Sequence, residues 1–389
     1  MTGHAPVSLT LQMNNRTRSP KQDPPSVDHP ALRANEIGTA EFGRRFESGM
    51  AGDFFRATSF GPSASSIGIG TYLGEPTEKD DAAYEAAVRF AVTHGINLID
   101  TAINYRGQRS ERAIGSAIQQ LTASGEASRE ELIVCSKGGY IPLGREAPAT
   151  REDYQAYVKR EFIDQEVVRP EEIVAGGHCL APRFLRYCLA KSRQNLGLRA
   201  LDIYYVHNPG QQLGVVSSAE LRDRLRAAFA MLEEAADRGE IGVYGCATWD
   251  SLRVPPDNRA HLALEDLVDI ARELAGDAHH FRAVQLPINL AMPEAVRDAT
   301  QPLAGKLVPA LHAATALGLT VIASATLMQA RLTTGLPVAL REAFSHCTSD
   351  AQRAIEFVRS MAGVTTALVG MKRAEHVEEN LGGVRVDPD

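Results

Sequence analysis

Short apolar runs alternate with amphipathic stretches over most of the chain. The apolar runs have the composition of buried strands and lie at residues 65–70, 96–100, 131–136, 201–206, 242–246, 282–287, 319–323 and 366–369. The stretches after them carry apolar residues at helical spacing and predict helices at 80–93, 111–121, 183–196, 219–238, 261–275, 307–317, 350–360 and 374–381. Continuous apolar strands followed by such helices are typical of a parallel sheet covered on both faces. Eight units predict the α/β class and a (β/α)8 TIM barrel.

An open doubly wound sheet is the alternative architecture. It would carry a G-x-G-x-x-G turn after the first strand, but GIGTYLG, from residue 68, does not open a helix in that register. We therefore expect a single barrel domain over 54–389. Residues 1–53 are rich in Pro, Asn, Arg and Ser without sustained periodicity, and we expect a mobile, disordered N-terminal extension in which 40–50 could form a short helix.

Composition narrows the class of partner. The 389 residues carry a formal net charge of −7, and no basic stripe of the kind that nucleic-acid binding needs is evident. No apolar run approaches the roughly 20 residues that span a bilayer, and the N-terminus lacks the apolar core of a secretion signal. The five scattered cysteines favour a reducing compartment, and the adjacent His279 and His280 lack the spacing of metal ligands. These features predict a cytoplasmic protein that binds neither nucleic acid nor membrane and holds no metal.

Loops that follow strands lie at the C-terminal face of a barrel, where barrel enzymes build their sites. The longest is an insertion over 138–180 after the third strand, and shorter loops cover 210–217 and 249–259. Long loops at this face are usually lids or pocket walls. We expect the insertion to wall one side of a pocket and to set the class of substrate.

Four titratable residues follow three consecutive strands and should meet at this face: Asp100, Tyr105, Lys137 and His207. Each alone has an ordinary structural explanation, but together they can transfer a proton. A phenol of pKa ~10 is a poor acid near neutrality, and a neighbouring ammonium lowers that pKa. The carboxylate can orient the lysine, and the imidazole can hydrogen-bond the oxygen of a substrate.

Several motifs resemble those of the aldo-keto reductases, in the correct order over 59–381. They are DTAINY at 100–105, RSERAIG at 109–115, SKGG at 136–139, DIYYVHNP at 202–209, QLPINL at 285–290 and VGMKRAEHVEENL at 369–381. The resemblance implies reduction of an aldehyde or ketone to an alcohol, with hydride from NADPH or NADH and a proton from the tyrosine. Carried over by position, the catalytic residues are Asp100, Tyr105, Lys137 and His207.

The same resemblance implies a set of cofactor-binding positions, some of which depart from the family's pattern. Ser324 stands where many members place an aromatic residue on the nicotinamide, and Thr248 follows Ala247 where the family often has Ser-Asn. Lys372 and Arg373 are the candidates for the adenosine 2′-phosphate, so we expect NADPH, with NADH left open. The complete set is Thr248, Gln285, Ser324, Leu327, Gly370, Lys372, Arg373, His376, Glu379 and Asn380.

Two other functions stay open at this point. The β subunits of potassium channels resemble these enzymes, so the chain could be a cofactor-binding regulatory subunit. The departures at Ala247 and Ser324 also leave room for a barrel enzyme that acts on an imine or a biosynthetic intermediate. The predicted partner is a small carbonyl compound, and the sequence specifies neither the physiological substrate nor the oligomeric state.

Overall fold

The computed structural model describes residues 33–144 and 148–385. The strands there are β1 Phe55–Ala57, β2 Ser63–Ser65, β3 Ile67–Gly70, β4 Leu98–Asp100, β5 Ile133–Gly138, β6 Leu201–His207, β7 Ile241–Ala247, β8 Phe281–Pro287, β9 Ala299–Leu303, β10 Lys306–Pro309, β11 Thr320–Ser324 and β12 Val364–Gly370. The α-helices are α1 Glu36–Phe46, α2 Glu78–Thr93, α3 Arg109–Ser124, α4 Arg151–Val158, α5 Pro182–Leu196, α6 Ser218–Asp237, α7 Leu264–Ala275, α8 Glu294–Arg297, α9 Ala310–Ala316, α10 Val338–Ala343, α11 Asp350–Arg359 and α12 Ala374–Leu381.

Eight parallel strands close into a barrel in the order β3-β4-β5-β6-β7-β8-β11-β12, with β12 paired back onto β3. They coincide with the eight apolar runs of the sequence, so the predicted (β/α)8 TIM barrel is confirmed. Each strand is almost wholly buried because one face points into the barrel and the other packs on the helices.

Alternate residues of the strands form a separate apolar cluster inside the barrel. Its members include Leu98, Ile133, Cys135, Ile203, Tyr205, Val243, Ala283, Ile322 and Leu368. Side chains two residues apart share a face of a strand. The next inward position after Leu98 is therefore Asp100, and the one after Cys135 is Lys137. Asp100 and Lys137 therefore point into the barrel near the carboxyl ends of β4 and β5.

Part of the predicted N-terminal extension packs on the barrel. Helix α1 begins at the cap Asn35, whose side chain accepts a hydrogen bond from the Gly38 amide at 2.7 Å, and it buries Phe42 completely. The β1–β2 hairpin adds Phe54 and Ala64 to the buried set. The expectation of a mobile segment up to residue 53 is thus corrected for residues 33–53, because Phe42 and Met50 are buried in the core and Phe46 packs against it. Residues 1–32 lie outside the described residues.

A β-hairpin replaces the first turn of the helix predicted at 307–317. Strands β9 and β10 pair antiparallel, and α9 starts only after Pro309. The turn consists of Ala304 (φ 47°) and Gly305 (φ 77°). Two successive residues with positive φ are what a tight two-residue hairpin turn requires. A glycine that permits this turn, with a proline at the helix start, explains why the helix begins later.

All five cysteines are buried and free of disulfides. Burial raises the pKa of the Cys135 thiol well above its usual value, so this residue behaves as a small apolar side chain on β5. Within residues 33–144 and 148–385, no helix has both the length and the apolar character needed to cross a membrane.

Candidate active site

The four predicted catalytic residues meet at the carboxyl end of the barrel. Asp100 ends β4, Lys137 lies near the end of β5 and His207 ends β6, while Tyr105 follows β4 in a short turn. Lys137 and Tyr105 lie with the lysine Nζ 5.0 Å from the centre of the phenol ring. The rings of Tyr105 and His207 are 5.9 Å apart at 73°. The structure therefore brings all four side chains into one cluster.

Lys137 is fully buried and has two acceptors. Its Nζ donates to Asp100 Oδ2 at 2.5 Å and to the carbonyl of Thr101 at 2.8 Å. Burial by itself lowers the pKa of the lysine, but the charges and hydrogen bonds of Asp100 outweigh this, and the pKa is raised above its usual value. The ammonium is therefore charged at neutral pH and lies beneath the phenol.

Gln285 contacts the Asp100 carboxylate, a contact that the sequence motifs did not suggest. Its Nε2 donates to Asp100 Oδ1 at 2.9 Å, although Gln285 was predicted only as a cofactor-binding residue. The two oxygens of Asp100 thus each accept one side-chain hydrogen bond, from Lys137 and from Gln285. Since β8 points Gln285 into the barrel, strand period could have placed it here.

The turn after Tyr105 is held in a left-handed conformation. Arg106, Gly107 and Gln108 all have positive φ (49°, 61° and 66°). Arg106 anchors the turn, because its guanidinium donates twice to the carbonyl of Glu75, at 3.0 and 2.9 Å, and to Asp81 at 2.6 Å. Non-glycine residues adopt such backbone only where the surroundings fix it, which happens mostly at functional sites. These contacts fix the position of Tyr105.

The pKa of Tyr105 is raised above its usual value, which corrects the expectation that Lys137 would lower it. Complete burial of the phenol raises the pKa, and the neighbouring Asp100 carboxylate raises it further. The charge and hydrogen bond of Lys137 lower it, but only in part. Desolvation disfavours the charged form of any buried acid. Tyr105 therefore carries its proton at neutral pH.

His207 is uncharged in this environment. Burial, the Lys137 charge and His178 lower the pKa of its imidazole well below the usual range. Its Nδ1 is buried and has no hydrogen-bond partner among the residues that the structure describes. The ring contacts that hold it are edge-on, with Tyr105 and with Tyr140, whose centroid lies 5.0 Å away. The site therefore places a neutral imidazole beside a protonated phenol.

A cavity of about 680 Å³ opens above the cluster. Its lining residues include Asp100, Tyr105 and His207 of the cluster and Glu379 and Asn380 of α12. Tyr72 and Trp249, which also line it, are large apolar side chains left 58% and 49% exposed. Concave, mostly apolar sites with a few converging polar groups are typical of ligand pockets.

Nine of the ten predicted cofactor residues line this cavity: Thr248, Gln285, Ser324, Leu327, Gly370, Lys372, His376, Glu379 and Asn380. Arg373 is not among its lining residues. The hydroxyls of Thr248 and Thr326 are buried in its wall without a hydrogen-bond partner in the described parts of the chain. Buried hydroxyls in folded proteins are normally satisfied. Two unsatisfied hydroxyls on residues that line a cavity suit a polar ligand such as the carboxamide of a nicotinamide.

The two cations predicted to bind a phosphate already have partners. Lys372 Nζ lies 2.8 Å from Asp80 Oδ2 at the start of α2. Arg373 donates to the imidazole of His376. Asp80 also accepts a hydrogen bond from the Glu75 amide at 2.7 Å, so its carboxylate is fixed next to the lysine. A phosphate at this position would have to compete with Asp80 for Lys372.

Comparison with known proteins agrees with the barrel and its motifs. The model of the aldo/keto reductase family matches residues 66–255, which contain all four clustered residues. Over these residues the chain is similar to the aldo/keto reductase family. Prostaglandin F synthase 1 of Bos taurus is 27% identical over 143 residues, 37% of this chain. The match spans about a third (31%) of that protein's length.

Solved structures share the fold at low sequence identity. An aldo/keto reductase from Klebsiella pneumoniae in complex with NADP and acetate has a TM-score of 0.56 at 20% identity, over 85% of this chain and 89% of that one. A second Klebsiella pneumoniae structure, in complex with NADPH, has a TM-score of 0.55 at 20% identity, over 84% and 87% of the two chains. At such identities the likeness extends to the fold.

Proposed function

We propose that this chain is an NADPH-dependent reductase of aldehydes or ketones, with Tyr105 as the proton donor. The observation that carries the proposal is the buried ammonium of Lys137, paired with Asp100 and lying 5.0 Å from the phenol ring at the floor of a cavity. A fully buried charge pair is costly to maintain, and its position at the carboxyl end of a barrel favours a catalytic purpose.

Tyr105 can give a proton to an oxygen that gains negative charge. When bound, the reduced nicotinamide would supply the hydride that the carbonyl carbon receives. As the carbonyl oxygen becomes an alkoxide, it takes the proton of the Tyr105 hydroxyl, and the phenolate left behind faces the Lys137 charge. The raised pKa keeps the phenol protonated until then. The phenolate regains a proton from solvent, so the net reaction consumes one proton.

His207 is suited to orient the carbonyl group. Its lowered pKa keeps the imidazole neutral, so it can donate one hydrogen bond without competing with Tyr105 as the acid. It lies on the edge of the Tyr105 ring, within reach of the same oxygen. Two donors that converge on one oxygen hold the carbonyl and stabilise its developing charge.

The cavity wall offers partners for both ends of a dinucleotide. The orphan Thr248 hydroxyl would contact the carboxamide, while Glu379 and Asn380 would contact the adenine. Lys372 would contact a 2′-phosphate once it leaves Asp80. The Klebsiella pneumoniae structures with the same fold, in complex with NADP and NADPH, support this choice of cofactor.

The exposed aromatic side chains at the mouth favour a substrate with an apolar, planar portion. Tyr72 packs on Tyr105 with ring centroids 5.1 Å apart, so its exposed face adjoins the reacting position. Trp249 follows β7 beside Thr248. Large exposed aromatics at a pocket entrance usually contact a ligand. Aromatic aldehydes are therefore the first compounds to test.

The test is a panel of aromatic aldehydes, aliphatic aldehydes and ketones with NADPH and with NADH. Loss of the reduced-nicotinamide absorbance and chromatography of the alcohol product measure the reaction. We expect turnover with at least the aromatic aldehydes, faster with NADPH. Tight cofactor binding without any turnover would overturn the proposal and favour a regulatory subunit, and turnover restricted to imines would favour a different reaction.

A further inference from the structure

The insertion at 138–180 closes on itself beside the candidate active site. The Ile141 amide donates to the carbonyl of Gly177 at 2.8 Å, and the Cys179 amide donates to the carbonyl of Gly139 at 2.7 Å. Its two ends thus pair next to the end of β5. This closure brings His178, a fully buried residue at the end of the insertion, against the end of β6.

His178 donates a hydrogen bond to the backbone of His207. Its Nε2 lies 2.7 Å from the carbonyl oxygen of His207, and a carbonyl can only accept, so Nε2 carries the proton. The other ring nitrogen, Nδ1, lies 3.0 Å from the side-chain amide nitrogen of Gln212. An amide nitrogen only donates, so Nδ1 is the acceptor and the imidazole is neutral.

The tautomer is fixed from outside by a charged residue. Arg224 Nη1 donates to Gln212 Oε1 at 2.9 Å, which leaves the amide nitrogen of Gln212 facing His178. Burial, together with the Arg224 charge, lowers the pKa of His178 to about 4, in spite of the hydrogen bond to His207. Four groups in a row therefore hold one geometry: Arg224, Gln212, His178 and the carbonyl of His207.

The hydrogen bond between His178 and His207 leaves no room for a side chain at Gly139. A Cβ atom at Gly139 would lie 2.8 Å from the carbonyl oxygen of His207 and 3.1 Å from His178 Nε2, and Gly139 has a φ of 148°. Glycine is the residue that accepts both the close approach and this backbone. After His207 the chain turns at once, since Asn208 has φ 48°. The hydrogen bond from His178 therefore holds the last peptide of β6 just before a sharp turn.

His207 has few other restraints. Its Nδ1 has no partner among the residues that the structure describes, and its ring is held by edge contacts with Tyr105 and Tyr140. Tyr140 in turn packs edge-on against His178, with centroids 4.9 Å apart. The orientation of the catalytic imidazole thus depends on its backbone and on a ring that His178 also supports.

We propose that His178 is a positioning residue that holds His207 in the orientation needed to bind the substrate oxygen. This inference rests on the role of His207 in the proposed function. The expectation that the insertion walls the pocket is not met, because none of its described residues lines the cavity. The task assigned here is different: the insertion delivers the donor that fixes the end of β6. The hydrogen bond, rather than the bulk of the ring, is what the proposal requires.

The test compares two replacements of His178. His178→Leu removes the donor, and His178→Gln keeps an N–H that can reach the same carbonyl. We expect His178→Leu to lower kcat about tenfold or more and His178→Gln to stay within about threefold of wild type, since small misplacements of a reacting group have large effects. The dissociation constant for NADPH should not change. The imidazole ¹⁵N signals of His207 should shift in His178→Leu and return in His178→Gln.

His279→Leu is the matched control. His279 is a second buried histidine, and it lines a separate recess with residues that precede β8, so its replacement should leave kcat and the His207 signals unchanged. Unchanged kcat and His207 signals in His178→Leu would overturn the inference, and equal losses in both His178 variants would also do so. If His178→Leu does not fold, Gln212→Met, which removes the partner of Nδ1, must lower kcat for the inference to stand. Should the wild type reduce no carbonyl compound, the proposed function fails, while the His207 signals still decide this inference.

Discussion

Gln285 donates a hydrogen bond to Asp100 across the inside of the barrel, from Nε2 to Oδ1 at 2.9 Å. The two residues are 185 positions apart, and their strands, β8 and β4, lie on opposite sides of the closed sheet. With Lys137 on the other carboxylate oxygen, Asp100 is held from two directions. A predicted cofactor-binding residue, Gln285, is thereby hydrogen-bonded to one of the residues expected to act in proton transfer, Asp100.

Removing one hydroxyl tests the proton donor. Tyr105→Phe keeps the ring contacts with Tyr72 and His207 but has no proton to give. We expect kcat for carbonyl reduction to fall about 10²–10⁴-fold, the usual contribution of general acid catalysis, while NADPH binding by fluorescence titration is unchanged. Tyr187→Phe, in the outer layer against Phe162, is the control. Near-normal turnover of Tyr105→Phe would rule out this mechanism.

Breaking the buried ion pair should affect stability as well as activity. In Lys137→Met the Asp100 carboxylate stays buried without its ammonium, which destabilises a protein by about 3–5 kcal/mol. Neutralising both partners, in the double variant Asp100→Asn with Lys137→Met, should recover part of the free energy of unfolding but no activity. Urea unfolding and steady-state kinetics measure the two effects. A single variant as stable and active as wild type would refute the assignment.

The lowered pKa of His178 predicts a pH dependence of stability. The imidazole titrates at about 4 in the folded chain, against an ordinary value of 6.5 when it is exposed to water, so the unfolded chain binds more protons between these values. The contribution of His178 is therefore complete above pH 6.5 and is lost as the pH falls towards 4, about 3 kcal/mol in all. His178→Gln cannot titrate, so its free energy of unfolding should fall less over this window. Urea unfolding of both proteins at pH 6.5 and at pH 4 measures this difference. An equal loss of the free energy of unfolding in the two proteins would contradict the burial of a neutral imidazole.

The fold could be predicted because it depends on a repeated pattern. Each barrel strand is an apolar run covered on both faces, and the signal recurs eight times. The segments that were missed lack such a pattern. Helix α1 packs through a few aromatic side chains such as Phe42, and the β9–β10 hairpin depends on the backbone of Ala304 and Gly305. One buried ring or one tight turn leaves little trace in hydrophobic periodicity.

The candidate site was predictable where strand ends define it. Asp100, Lys137 and His207 follow from strand period and barrel geometry. Contacts between distant segments do not. Strand period can place Gln285 inside the barrel but does not pair it with Asp100, and the hydrogen bond of His178 to His207 had no sequence signal. The predicted direction of the Tyr105 pKa shift was wrong for a related reason. The sequence shows the nearby lysine but not the extent of burial, and burial has the larger effect on the pKa.

Cofactor preference provides a test with variants in opposite directions. Lys372 is shared between Asp80, 2.8 Å away, and any 2′-phosphate bound at the start of α12, where free backbone amides and the helix dipole favour an anion. Lys372→Ala with Arg373→Ala should raise KM for NADPH and leave KM for NADH nearly unchanged, because only NADPH carries that phosphate. Asp80→Asn should lower KM for NADPH, since it frees the lysine while its oxygen can still accept from the Glu75 amide.

The ratio of kcat/KM for the two cofactors measures both effects. We expect it to favour NADPH in the wild type, more strongly in Asp80→Asn and only weakly in the double variant. A phosphate held by Lys372 through charge should also lose affinity as ionic strength rises, because exposed charges are screened over about 10 Å at 0.1 M salt. Equal ratios in all three proteins would mean that the Asp80–Lys372 pair only joins α2 to the loop before α12, and that another part of the cavity selects the cofactor.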